Sequence, residues 1–102
     1  MTDLSNKVAV ITGAGQGVGK GIALALAKAG AYVSISGRTL SKVEDTLREI
    51  EKLGGRGIAL ECEVTNLEHI ENCIEVTVEK FNSIDILVNN AQIVPLGKVL
   101  DV

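Results

Sequence analysis

Short apolar runs alternate with longer stretches of helical periodicity along this 102-residue chain. Four runs rich in Val and Ile, Lys7–Thr12, Tyr32–Ser36, Gly57–Cys62 and Ile84–Asn89, read as strands covered on both faces. Three helical patterns lie between them. The first extends from about Gly17 to Ala29 and meets Gly30, a natural C-cap. The second spaces Leu40, Val43, Leu47 and Ile50 at helical intervals and closes at Gly54-Gly55. Its other face carries Lys42, Glu44, Asp45, Arg48 and Glu49, with Glu44 and Arg48 placed as an i,i+4 pair. The third opens on the capping-box pattern Thr65-x-x-Glu68 and sets Leu67, Ile70, Ile74 and Val78 on one side.

Regular strand–helix alternation predicts an α/β fold with a parallel sheet, three layers deep with helices on both faces. Right-handed crossovers place the second strand beside the first and the third beyond it, with the first two helices on one face. The chain then crosses back, so the fourth strand lies on the other side of the first. The predicted order is 3-2-1-4, with the third helix on the opposite face. Residues 1–102 are expected to make one domain at most, incomplete at its C-terminal side, with no internal repeat, linker or low-complexity tract.

Composition narrows the partners. An apolar fraction of 46% beside 23% charged residues is that of a globular chain, and 2% aromatics makes the core aliphatic. A net charge of −3 without a basic cluster argues against nucleic acid or an anionic membrane. No apolar segment has the length of a membrane span, and no leader pattern precedes the first strand, which points to a cytoplasmic protein. Cys62 and Cys73, with a single histidine, make no metal or C-x-x-C motif. They read as buried or half-buried free thiols, and His69 as a solvent-facing helix residue without a role.

The chemistry concentrates where Val8-Ala9-Val10-Ile11 runs into Thr12-Gly13-Ala14-Gly15-Gln16-Gly17-Val18-Gly19 and then the first helix. Strand, glycine turn and helix together bring backbone N–H groups at a helix N-terminus to bear on a phosphate. The spacing Gly-x-x-x-Gly-x-Gly fits at Gly13, Gly17 and Gly19. The commoner Gly-x-Gly-x-x-Gly fits in no register, and a triphosphate P-loop fails at Ala14 and Gly21. The gap between strands 1 and 4 is the topological switch point at which such sheets hold a dinucleotide.

Thr-Gly-x-x-x-Gly-x-Gly after the first strand resembles the cofactor signature of the short-chain dehydrogenases/reductases. Asp85-Ile86-Leu87-Val88-Asn89-Asn90-Ala91 resembles that family's fourth strand and its Asn-Asn-Ala-Gly motif, and the likeness runs from Lys7 to Pro95. It implies a partial Rossmann-type sandwich in which Thr12, Gly13, Gly15, Gln16, Gly17, Val18 and Gly19 contact the cofactor. Asn89, Asn90 and Ala91 would touch its ribose or brace the sheet.

Cofactor choice is read at the end of the second strand, where NAD requires a carboxylate for the ribose 2′-hydroxyl. Ser36-Gly37-Arg38-Thr39 offers none. Arg38 can form a charge-assisted fork with a 2′-phosphate, Gly37 leaves room for it, and Ser36 or Thr39 can donate a further bond. NADP(H) is therefore expected over NAD(H), as the resemblance also implies for Gly-Arg at this place. Thr39 doubles as an N-cap candidate for the second helix. Glu63-Val64 stands where the family has Asp-Val, whose carboxylate accepts from the adenine amino group. Equally, Glu63 can be an ordinary solvent-facing acid. Gln92 departs from the family's Gly, where backbone passes close to the cofactor.

In that family a tyrosine, a lysine four residues later and a serine perform hydride transfer downstream of Asn-Asn-Ala-Gly. The one tyrosine here, Tyr32, has Ser36 at the lysine's offset, so no catalytic residue is assigned. Two roles stay open. One is the cofactor-binding portion of an NADP(H)-dependent oxidoreductase acting on a carbonyl or alcohol, inactive alone. The other is a non-catalytic module that holds a dinucleotide or pairs with another protein. An open fourth strand exposing Ile84, Ile86, Leu87 and Val88, with the apolar stretch Ile93–Leu100 beyond it, predicts self-association or docking at that edge.

Overall fold

Val8, Ala9, Val10 and Ile11 are all buried, which makes β1 (Val8–Thr12) an interior strand with neighbours on both sides. The computed structural model describes residues 3–90. In chain order β1 is followed by α1 (Gly17–Lys28), β2 (Tyr32–Gly37), α2 (Leu40–Lys52), β3 (Arg56–Glu61), α3 (Leu67–Phe81) and β4 (Ile86–Asn89). The four strands are parallel in the order β3-β2-β1-β4, as the crossovers predict. Registers pair Val8 with Tyr32, Ala9 with Ile86 and Tyr32 with Arg56.

Side chains alternate between two cores. Ala9, Ile11, Val33 and Ile35 point to the α1/α2 side and pack with Ala23, Ala27, Val43 and Ile50. On the α3 side a smaller cluster joins Cys62, Val64 and Cys73, with Leu60 and Ile70 against it. Ser34 also faces α3, and its hydroxyl lies 2.7 Å from that of buried Thr77, whose Oγ1 is also 2.6 Å from the Cys73 carbonyl, so both hydroxyls have hydrogen-bond partners.

Several details differ from the sequence pattern. β4 begins at Ile86 because Asp85 precedes the paired register: its carboxylate accepts from Val8 N at 2.9 Å, and its own N–H bonds Val8 O at 2.8 Å. α3 is capped by Asn66, whose side chain accepts from the N–H groups of Glu68 and His69, rather than by Thr65. The buried stripe of α3 holds Cys73 and Thr77, while Leu67, Ile74 and Val78 remain exposed. Arg48 pairs with Asp45, one turn behind it, rather than with Glu44. In β4, Ile86 and Val88 pack against the α1/α2 core and Ile84 is half-buried. Of the four apolar residues expected to be bare there, Leu87 alone is exposed, at 61%. Ile93–Leu100 lies outside the described residues.

At the N-terminal end of the sheet, Tyr32 and Phe81 stack with ring centroids 5.2 Å apart, and the Arg56 guanidinium lies 5.3 Å from the tyrosine ring centre. No helix among the described residues is long and apolar enough to cross a membrane.

Candidate functional site

The glycine loop forms at the C-terminal end of β1. Gly13 and Gly17 adopt positive φ angles, 64° and 60°, which turn the chain from strand into α1 at little steric cost. Gly19, inside the helix, is required for a different reason. A Cβ there would lie 2.0 Å from the carbonyl oxygen of Gly13, so only glycine lets α1 sit this close to the loop. Gln16 occupies the N-cap position of α1 without a side-chain cap, and the first N–H groups of the helix have no acceptor within it. They are the donors a phosphate would use.

The loop is anchored from three directions. Ala14 N donates to Ser36 O at 3.0 Å, tying it to β2. The hydroxyl of Thr46, on α2, donates to Ala14 O at 2.9 Å. From β4, Thr12 Oγ1 donates to Asn89 Oδ1 at 3.0 Å and Asn90 Nδ2 to Gly13 O at 3.5 Å. Asn89 and Asn90 thus brace β1 and the loop, and both remain exposed at the crevice. Val18 is 70% exposed at the same rim. Ala91 and Gln92 lie outside the described residues.

Beside the loop is a cavity of about 290 Å³ lined by Gly13, Gly15, Gln16, Gly37 and Val64, among others. Gly37 is buried at the end of β2, and a Cβ there would come within 3.0 Å of Val43. Arg38, Thr39 and Lys42 also line the cavity, and among the described residues no carboxylate does. Lys42 Nζ donates to Gln16 Oε1 at 2.9 Å, linking the first turn of α2 to the glycine loop. Thr39 stands at the N-cap of α2 but its side chain makes no capping bond. Ser36 lies on the α3 side of the sheet with its hydroxyl buried beside the two thiols, so it cannot serve the cavity.

Arg38 and Glu63 meet. The guanidinium Nε lies 3.1 Å from Glu63 Oε2 across the ends of β2 and β3. Glu63 N donates to His69 Nδ1 at 3.1 Å, so the half-buried His69 closes the loop between β3 and α3 instead of facing solvent without a role. Sequence periodicity carries no signal for such a bond between a ring and the backbone. Burial pushes the Cys62 thiol up and that of Cys73 to about 12, which keeps both protonated and unreactive. Among the described residues no group of three His, Cys, Asp or Glu side chains could hold a metal ion.

Comparison with known proteins agrees with this geometry. A family model described as short chain dehydrogenase matches residues 7–102. A protein named as a short-chain dehydrogenase/reductase homolog, YusS of Bacillus subtilis strain 168, is 39% identical over 89 residues, 86% of this chain and 82% of that protein. The 7alpha-hydroxysteroid dehydrogenase of Escherichia coli K12 is 40% identical over 88 residues, covering 86% of this chain and 34% of the enzyme. A crystal structure of a hydroxysteroid dehydrogenase from Escherichia coli superposes with a TM-score of 0.87 at 34% identity, over 97% of this chain and 45% of that one. A 7 alpha-hydroxysteroid dehydrogenase complexed with NADH and 7-oxo glycochenodeoxycholic acid gives 0.86 at 35% identity, over 93% and 40%. The chain therefore spans less than half of these dehydrogenases, but most of the Bacillus homologue.

Proposed function

The chain belongs to the short-chain dehydrogenase/reductase family, and we propose that it binds NADP(H) in preference to NAD(H). It serves as the cofactor-holding portion of an oxidoreductase acting on a carbonyl or alcohol. The cavity lining carries this reading: Arg38 follows Gly37 at the end of β2, Lys42 lies in the first turn of α2, and among the described residues no carboxylate lines the cavity to receive a 2′-hydroxyl, that of Glu63 being engaged by Arg38. The residues fit the group. The loop and the start of α1 take the pyrophosphate, Gly37 leaves space for the ribose, and Arg38 with Thr39 takes the 2′-phosphate. Val64 and Glu63 border the adenine, Asn89 and Asn90 serve the crevice side, and Ala91, outside the described residues, is assigned to the cofactor with them.

Bound there, the nicotinamide would supply the hydride. No residue of this chain is assigned as the acid or base of the reaction. A cytoplasmic setting belongs to the same reading and is supported by the free thiols at Cys62 and Cys73.

Titrating the chain with NADPH and NADH tests it. Arg38→Ala should weaken NADPH binding about tenfold or more and barely change NADH binding. Equal losses for both would refute the preference.

A second reading has one observation in its favour, the near-equal size of the Bacillus homologue. On it, the chain holds a dinucleotide without catalysis and pairs with a partner through the β4 edge and Leu87. Concentration-dependent dimerisation in sedimentation, lost in Leu87→Lys, would support it.

A further inference from the structure

The ion pair between Arg38 and Glu63 joins two side chains that a bound cofactor would need separately. Adjacent parallel strands bring them together: Gly37 is in register with Glu61, and Cys62 N bonds Gly37 O at 2.8 Å. Arg38 then leaves β2 as Glu63 leaves β3. The Glu63 carboxylate is held in place, since Oε1 accepts from Thr65 Oγ1 at 3.3 Å and from Thr65 N at 3.5 Å. Its backbone is fixed by His69. Oε2 is thus presented to Arg38 by three neighbouring contacts.

We propose that Glu63 sets the strength of the cofactor preference by competing with the 2′-phosphate for Arg38. The idea rests on the NADP(H) reading above. A 2′-phosphate carries more charge than a carboxylate and offers the guanidinium two oxygens, so it displaces Glu63. The exchange costs the existing pair and leaves a carboxylate beside a phosphate. The pair is water-exposed, with 79% of the Arg38 side chain and 38% of that of Glu63 accessible, so the cost is modest and salt-dependent. NADH, which carries no 2′-phosphate, leaves the pair closed and escapes the cost. Glu63 therefore compresses the difference between the two cofactors that Arg38 creates.

The test is a double-mutant cycle on the whole chain, with NADPH and NADH dissociation constants from equilibrium titration. Glu63→Gln keeps an oxygen for the adenine amino group but removes the charge. It should raise the ratio of NADPH to NADH affinity about three- to tenfold at low salt, less at high salt. Glu63→Asp, one methylene shorter, should raise it about twofold for want of reach. In an Arg38→Ala background the rise should shrink to the small part that comes from direct repulsion between the Glu63 carboxylate and the phosphate.

An unchanged ratio in both single variants would overturn the proposal, as would a rise that persists undiminished without Arg38. If Arg38→Ala itself weakens both cofactors equally, the NADP(H) reading fails first. If the wild-type chain binds neither cofactor, both fail together.

Discussion

Thr46 of α2 donates its hydroxyl to the carbonyl of Ala14 at 2.9 Å, and this bond fastens a helix to the glycine loop from inside the core. Both residues are fully buried, so water cannot replace the donor. Thr46→Val keeps the shape and orphans the Ala14 carbonyl, which should cost about 1–3 kcal/mol in urea unfolding. It should also weaken dinucleotide binding, because Ala14 sits in the loop proposed to hold the pyrophosphate. Thr46→Ser, which keeps the hydroxyl, should bind nearly as wild type. Equal binding by the valine and serine variants would show that the anchor does not position the loop.

Two glycines on α1 should respond in opposite ways. Gly19→Ala drives a methyl to 2.0 Å from Gly13 O and 2.7 Å from Asn90 Nδ2. It should cost more than about 2 kcal/mol, lowering Tm by roughly 8 °C or more. A Cβ at Gly21 meets nothing within 4 Å. Gly21→Ala should raise stability by about 0.5–1 kcal/mol, because alanine is the better helix former. Thermal melts of the pair check both directions.

Burial raises the Cys73 thiol from its ordinary 9.0 to about 12, and raises that of Cys62 as well. The folded state therefore keeps protons that the unfolded chain releases above pH 9. The stability tied to these thiols is complete below that pH and is lost as pH climbs towards 12, at no more than about 1.4 kcal/mol per pH unit for each proton. Urea midpoints followed from neutral to alkaline pH should fall more steeply for wild type than for Cys73→Ala, whose lost packing lowers the curve at every pH. Parallel curves would remove the thiols from the alkaline transition.

Much of this was legible in the sequence because it rests on periodicity and turn chemistry. The four Val- and Ile-rich runs, the glycine loop and the right-handed crossovers lead to the observed sheet order without further information. What escaped depends on neighbours distant in sequence. The α3 pattern favoured Leu67, Ile74 and Val78 for burial, yet Thr77 is buried in their place because Ser34 and the Cys73 carbonyl satisfy its hydroxyl. Thr65 fits the capping-box spacing, but Asn66 reaches the free N–H groups of α3. Arg38 was legible as a cation at the end of β2. Its pairing with Glu63 was not, because the two stand 25 positions apart and only the strand register brings them together.

The stacked rings of Tyr32 and Phe81 give the chain an optical probe of its own. They are its sole tyrosine and phenylalanine, and it has no tryptophan. Tyrosine emission therefore reports one location, the joint between the start of β2 and the end of α3. That joint lies a full strand, about 17–20 Å, from the cavity at the far end of β2. Quenching or release of Tyr32 would follow opening of the sheet's lower end, while nicotinamide fluorescence would follow events at the upper end. Unfolding and cofactor binding can thus be watched in one cuvette, through two chromophores at opposite ends of a single strand.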